Sequence, residues 1–216
     1  MKAYTSNNIR NIAVLGHGGK GKTTLCEAML YLAGATDRLG KVADGNTVLD
    51  FDAEEKRRKS SVSSAMAAIE WDNTKLNIID APGLFDFENG AAEAVRAAEA
   101  VLIVTSAGSG VDVGTEKAFK AAEKRGLAKF FAITKTDSDH RSFYKTFEAL
   151  KEVYGNKLCP TIIPYMEGNI TKSYVNLMTG MAYEYDENGK ATKVPMPNDP
   201  VIEEMTSAFM EAVATT

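Results

Sequence analysis

Cysteine is nearly missing from this chain, with Cys26 and Cys159 the only two in 216 residues. So distant a pair makes no disulfide framework, and both read as small core residues in a reducing compartment. Histidine is as scarce, with only His17 and His140. No Cys/His cluster has metal-ligand spacing, so no zinc site is expected. No run approaches 18 apolar residues, and the opening Met1-Lys2-Ala3-Tyr4-Thr5-Ser6 carries no apolar signal region, which points to a cytoplasmic protein without a membrane partner. An excess of one charge is lacking too: 25 basic and 29 acidic residues leave −4. That balance gives no global field toward DNA or an anionic membrane, and any RNA contact must be local. There is no internal repeat and no low-complexity tract. His140 reads as a surface residue before a helix.

What is present is one octamer, Gly16-His17-Gly18-Gly19-Lys20-Gly21-Lys22-Thr23, which fits G-x-x-x-x-G-K-[ST]. A chain of this length shows that pattern by chance about once in a hundred sequences. Its context makes chance poorer still: the apolar run Asn11 to Leu15 reads as a buried strand before it, and Thr24 to Leu32 as a helix after it. The glycines let backbone N–H groups turn inward as an anion nest, and the helix N-terminus adds its positive end. Lys22 is then placed for β and γ phosphates and the Thr23 hydroxyl for Mg²⁺. The nucleotide-binding set at this loop is His17, Gly18, Gly19, Lys20, Gly21, Lys22, Thr23 and Thr24.

Apolar runs alternate with helical patterns down the chain: strands at Leu76–Ile79, Val101–Val104, Phe130–Ile133 and Thr161–Ile163, helices near Gly90–Glu99, Thr115–Lys124 and Ser142–Val153. The fold class is therefore α/β, a P-loop nucleotide-binding fold with a mostly parallel sheet and helices on both faces. Two stretches break the rhythm. Residues 35–64 are polar and end in Glu54-Glu55-Lys56-Arg57-Arg58-Lys59, and they read as a long mobile loop of the kind used as lids or switches. Residues 157–197 show alternation either side of Asn188-Gly189, the signal of a hairpin in a small antiparallel insertion. Tyr174, Tyr183 and Tyr185 fit the faces of that sheet better than a base-stacking platform. Asp199-Pro200 opens a final amphipathic helix. The whole, residues 1–216, reads as a single domain.

Two further motifs follow strands. Leu76–Ile79 runs into Asp80-Ala81-Pro82-Gly83, where Asp80 would hold Mg²⁺ and the Gly83 N–H would meet a γ-phosphate. Phe130–Ile133 runs into Thr134-Lys135-Thr136-Asp137, matching [NT]-K-x-D. Guanine presents N1–H and N2–H as adjacent donors, so one carboxylate, Asp137, accepts both; adenine would leave it unpaired. Lys135 would lie along the base and Thr134 would tie this loop to the octamer. A kinase or ATPase reading is disfavoured by Asp137, and His17 stands where a deviant Walker loop has its early Lys.

These motifs, in this order, resemble the translational GTPases, and among them the N-terminal GTP-binding domain of elongation factor G and its paralogues. The resemblance runs through Tyr31, Gly34, Asp44-Gly45, Asp50, Arg58, Trp71, Asn77-Ile78-Ile79-Asp80, Pro82-Gly83, Asp86-Phe87 and Ile163-Pro164. It implies GTP and GDP as substrate and product with Mg²⁺ as cofactor, the ribosome as partner of the full-length protein, and a monomeric fragment. Lys56 to Val62 would end switch I and Asp80 to Phe87 would open switch II. Ser61 would join Thr23 and Asp80 as a Mg²⁺ ligand, while Lys22 and Gly83 would act on the reacting phosphate. The chain departs from the family in three places. Leu84 stands where the family has the His that orients the attacking water, so hydrolysis should be weak. Arg58-Lys59-Ser60-Ser61 replaces Arg-Gly-Ile-Thr, and Gly18-Gly19-Lys20 replaces Ile-Asp-Ala. The family also has a later strand and a guanine-contacting Ser-Ala loop, so the chain reads as a GTP-binding domain cut short. The alternative is a GTP-dependent binding switch without efficient turnover, as in a ribosome-protection or rescue factor. Lys56-Arg57-Arg58-Lys59 beside two glutamates reads as a solvated face rather than a phosphate contact.

Overall fold

A computed structural model describes residues 2–137, 142–155, 158–168, 170–186 and 189–214. The chain divides into two compact units, Met1–Lys135 and Thr136–Thr216. In the first, strands β1 (Ile9–Leu15), β2 (Ala65–Trp71), β3 (Thr74–Asp80), β4 (Ala100–Ser106) and β5 (Ala128–Thr134) form one sheet in the order β2-β3-β1-β4-β5. β1 runs parallel to β3 and β4, and β4 parallel to β5. Ala13, Val14, Val101, Ile103 and Val104 are fully buried in its centre, as a parallel sheet covered on both faces requires. This shared direction puts the octamer after β1, the Ala81–Gly83 turn after β3 and Lys135 after β5 at the same edge, outside the carboxyl ends of the strands.

β2 has no counterpart among the predicted strands. Ala65-Met66-Ala67-Ala68 favours helix by propensity; antiparallel pairing with β3 overrides it. The hairpin turns on Asp72 and Asn73, both left-handed at φ 44° and 58°, the backbone that a two-residue type I′ turn demands.

The stretch 35–64, expected as a loop, holds a 3-10 turn at Val42–Asp44 and helix α2 (Ala53–Arg58). The sequence did carry the signal for α2. Asp52 accepts from the Glu54 N–H at 2.7 Å, and the Glu55 carboxylate reaches back to the Asp52 N–H at 3.2 Å, a capping box. Lys59, left-handed at φ 54°, ends the helix. Arg57 and Arg58 pair with Glu54 on its exposed face. Leu49 is buried against Val14, Cys26 and Leu30, so part of the stretch belongs to the core. α1 (Lys22–Leu32), α3 (Glu88–Ala97) and α4 (Val113–Lys124) complete this unit, α4 capped by Asp112 accepting from the Thr115 N–H at 2.8 Å.

The second unit comprises α5 (Phe143–Tyr154), an antiparallel sheet β6 (Ile162–Glu167), β7 (Ile170–Asn176), β8 (Met181–Tyr185) and β9 (Ala191–Val194), and α6 (Pro200–Ala214). Ile163, Val175 and Ala182 stand opposite one another and are buried, while Tyr174 and Tyr183 pair across the strands with Tyr174 edge-on to Tyr185. β8 pairs with β9 from Tyr185 opposite Ala191; Asn188 of the expected turn, like His140 and Lys157, lies outside the described residues. Asp199 Oδ1 accepts from the Val201 N–H at 2.8 Å, the cap expected of Asp199-Pro200. Cys26 is buried, with burial pushing its thiol pKa up, and Cys159 is half-buried. Among the described residues no helix is long and apolar enough to cross a membrane.

Candidate functional site

The octamer bends where its glycines allow it. Gly19 and Gly21 sit at φ 72° and 88°, and a Cβ on Gly16, at φ 137°, would lie 2.2 Å from the Val104 carbonyl oxygen. α1 starts at Lys22 with no side-chain cap at Gly21, so the N–H groups of its first turn are free to meet an anion. Lys22 is buried, and its Nζ donates to the His17 carbonyl at 3.0 Å. Burial lowers its pKa, with the neighbouring Asp80 carboxylate working against the shift. The Asp80–Gly83 turn lies directly on this cradle: a Cβ on Gly83 would sit 2.2 Å from Lys22 Nζ and 2.7 Å from the Gly16 carbonyl oxygen. Only glycine fits there.

Beside Lys22 four oxygen-bearing side chains meet. Thr23 Oγ1 donates to Asp80 Oδ2 at 2.6 Å, and Ser61 Oγ donates to Asp50 Oδ1 at 2.7 Å. Each hydroxyl has thereby spent its one proton on a carboxylate, although the two hydroxyl oxygens lie only 3.2 Å apart. Lone pairs face each other across that gap. Among the described residues no hydrogen-bond partner meets Asp80 Oδ1, which is also buried. A hard divalent cation is the group that such a proton-poor oxygen set accommodates.

Burial pushes the Asp80 carboxyl up to about 6, against the pull of Thr23 and Lys22. Since the folded value lies above that of the unfolded chain, the stability the protonated form supplies is present below about pH 4 and is lost as pH rises through about 6. Above that, holding the buried charge costs on the order of 3 kcal/mol. Asp80→Asn should therefore raise the Tm of the ligand-free chain at pH 7 and change it little near pH 4. Thermal melts at both pH values check this, and a gain that does not shrink in acid would show another source.

Two buried glutamates, neither visible as functional in the sequence, hold the 35–64 stretch against this site. Glu27 on α1 accepts from the N–H groups of Val48 and Leu49 at 2.8 and 3.0 Å. Glu55 accepts from those of Val62 and Ser63 at 3.0 and 3.2 Å. Ser61 is thus delivered between the two anchors. Glu55→Ala removes the acceptor that the Val62 and Ser63 N–H groups share, at about 0.5–1.5 kcal/mol for each bond. The expected result is faster amide exchange across residues 52–63 by hydrogen–deuterium exchange, and unchanged protection would show that other contacts hold the stretch.

The structure brings most of the expected residues together and turns some aside. Gly18, Gly19, Gly21, Lys22, Thr23, Thr24, Ser61, Gly83 and Lys135 line one cleft of about 200 Å³, which Asp50 also lines. Thr134 Oγ1 lies 2.7 Å from the Lys20 carbonyl oxygen, and Lys135 Nζ donates to that of Gly19 at 2.6 Å. The Lys20 ammonium points elsewhere, paired with Asp112 at 3.1 Å. The His17 ring packs on Phe85, and among the described residues no hydrogen-bond partner meets its buried Nδ1. Gly114 is what makes room, since a Cβ there would meet His17 at 2.6 Å. Leu84 leans on the octamer, its Cδ2 lying 2.8 Å from where a Cβ on Gly18 would be. The family's Ile at that position could not coexist with this Leu84 pose. Asp137 lies in the second unit and is exposed. Glu27 and Glu55 are the residues sequence reasoning passed over, and Asp50 entered it only as a point of resemblance, without a role.

Residues 7–214 match the family model of the elongation factor Tu GTP-binding domain. The chain belongs to this family. This GTP-binding domain is 34% identical over 206 residues to the elongation factor G-like protein of Mycobacterium tuberculosis, a match that spans 95% of this chain and 28% of that protein. It is 30% identical over 230 residues to the mitochondrial ribosome-releasing factor 2 of Debaryomyces hansenii, spanning 100% of this chain and 27% of that protein. A crystal structure of a Thermus thermophilus protein matches with a TM-score of 0.87 at 34% identity, covering 95% of this chain and 31% of that one. This GTP-binding domain spans less than a third of the length of each of them.

Proposed function

We propose that the chain is the nucleotide-binding domain of a longer elongation factor G-like translational GTPase, one that binds guanine nucleotide with Mg²⁺, hydrolyses GTP slowly and acts on the ribosome. The observation that supports this reading most is the proton-poor oxygen set of Thr23, Ser61 and Asp80 beside the buried Lys22 ammonium. It pairs a place for a small divalent cation with a place for phosphate. In this reading residues 1–216 work as one domain, with 35–64 as its switch and 157–197 as an insertion.

The backbone N–H groups from Gly18 to Thr24 would hold the phosphates, with Lys22 at β and γ. Mg²⁺, when bound, would neutralise developing phosphate charge, and Thr23, Ser61 and Asp80 would hold it, with Asp50 orienting Ser61 from behind. Gly83 would offer its N–H to the γ-phosphate, so the turn beneath it would sense whether that phosphate is present. Thr134 and Lys135 would brace the base loop on the octamer, and Asp137 would read guanine. The reading makes the fragment a cytoplasmic monomer with no DNA or membrane partner. A second reading, a GTP-dependent switch for ribosome protection or rescue that hardly turns over, is favoured by one observation: the side chain packed on Gly18 is the aliphatic Leu84.

Lys22→Ala is the test. Removing a buried charged contact should weaken GDP binding in Mg²⁺ by about 2–4 kcal/mol, or roughly 30- to 1,000-fold. Calorimetric titration reads it, and a variant that binds GDP as well as the parent would remove the phosphate assignment.

A further inference from the structure

Half of the octamer is glycine: Gly16, Gly18, Gly19 and Gly21. Glycine loses more backbone freedom on ordering than any other residue, so this loop is costly to hold in one shape. Contacts from other elements do the holding. Thr134 Oγ1 lies 2.7 Å from the Lys20 carbonyl oxygen and Lys135 Nζ donates to that of Gly19 at 2.6 Å, both reaching in from the end of β5. The third tie differs in kind, because the loop supplies the side chain: the Lys20 ammonium meets Asp112 Oδ2 at 3.1 Å, at the N-terminus of α4.

This pair is fixed from both sides. Its side chains are only 14% and 19% exposed, so water and salt screen it less than they screen a surface pair. Asp112 is held in place by its own cap, Oδ1 accepting from the Thr115 N–H at 2.8 Å and the Thr115 hydroxyl at 3.0 Å, and Thr115 is fully buried. Oδ2 is left to face the loop, and the positive end of α4 favours its charge. Lys20 is pinned at its carbonyl and at its ammonium at once. The wall of the phosphate cleft meanwhile passes from Gly19 to Gly21 without it. Gly18-Gly19-Lys20 stands where the family has Ile-Asp-Ala, so the change that loosens the loop also brings the anchor.

We propose that Lys20 and Asp112 are a positioning pair for nucleotide binding: their ion pair orders the octamer before a ligand arrives, and phosphate affinity depends on it although neither side chain touches phosphate. The inference rests on the nucleotide reading above. Its size follows from populations, since apparent affinity falls with the fraction of loops in the binding shape.

Lys20→Met and Asp112→Asn each break the pair, and the second keeps a cap on α4 because Asn caps about as well as Asp. Each should weaken GDP binding in Mg²⁺ by about tenfold in calorimetric titration, the loss that follows when the ordered fraction drops to about a tenth. The double variant should also lose about tenfold rather than about a hundredfold, because one pair can be broken only once. In the nucleotide-free protein, ¹⁵N relaxation should give lower order parameters for Gly18, Gly19 and Gly21 in either single variant than in the parent, and saturating GDP should remove the difference. Either single variant decides the question if the other does not fold. Folded variants that bind GDP like the parent would overturn the proposal and leave the nucleotide reading intact. A loss of about a hundredfold in the double variant, or weakened binding with the free loop as ordered as the parent's, would overturn it too, since the two side chains would then act separately or on the phosphate itself. A parent that binds no GDP would refute the nucleotide reading and this inference with it.

Discussion

Asp137→Asn is expected to move base preference from guanine toward xanthine by about 10⁴-fold, measured as the ratio of GDP to XDP affinity. The reason is donor and acceptor counting at one edge. The carboxylate would accept from N1–H and N2–H of guanine together; an Asn amide offers one acceptor and one donor, and xanthine, with a carbonyl at C2, suits that pair. Discrimination of this kind is large because a mismatched base leaves a desolvated polar group unpaired. Competition titrations with GDP, XDP and ADP decide it. If parent and variant rank the three alike, Asp137 does not read the base, and the Thr134-Lys135-Thr136-Asp137 motif is an ordinary exposed turn.

Leu84→His should raise single-turnover GTP cleavage by about 10²- to 10⁴-fold, the usual contribution of a positioned group that orients or deprotonates water. Leu84 follows Gly83, the residue lying on Lys22, and it is only about a third exposed, at 36%. An aliphatic side chain there neither donates nor accepts a hydrogen bond. The comparison is made on both forms with GTP affinity measured in parallel, alone and in the full-length protein with ribosomes. Equal rates at retained affinity would mean that another group orients the water and that the family difference at this position is silent. Fast cleavage by the Leu84 form would exclude the reading of a switch without turnover.

The elements that sequence reading recovered and those it missed differ in where their determinants lie. Val14 and Leu15 before Gly16, and the helix after Lys22, are neighbours in sequence, so period and spacing place them without knowledge of the rest. The same holds for α4 behind Asp112 and for α6 behind Asp199, where the cap is three and two residues from the group it satisfies. β2 is the contrary case, since Ala65 to Ala68 become a strand only because β3 supplies the ladder. α2 was legible and went unread, its capping box hidden in a stretch dominated by charge.

For the site, sequence by itself determined which side chains are available and in what order: a glycine-rich octamer after β1, an Asp at the end of β3, a Thr-Lys-x-Asp at the end of β5. Those assignments need side-chain type and local spacing, which the chain carries in its order. Tertiary structure alone decided the electrostatic state of the site. Thr23 and Ser61 face each other without a proton between them because Asp80 and Asp50, from different segments, each take one. Glu27, which sequence places in a helix, and Glu55, which it places in a charged loop, are buried because backbone N–H groups 21, 22, 7 and 8 residues away come to meet them. Burial and desolvation are properties of what surrounds a residue, and those surroundings are assembled from distant parts of the chain, which is why no local pattern announces them.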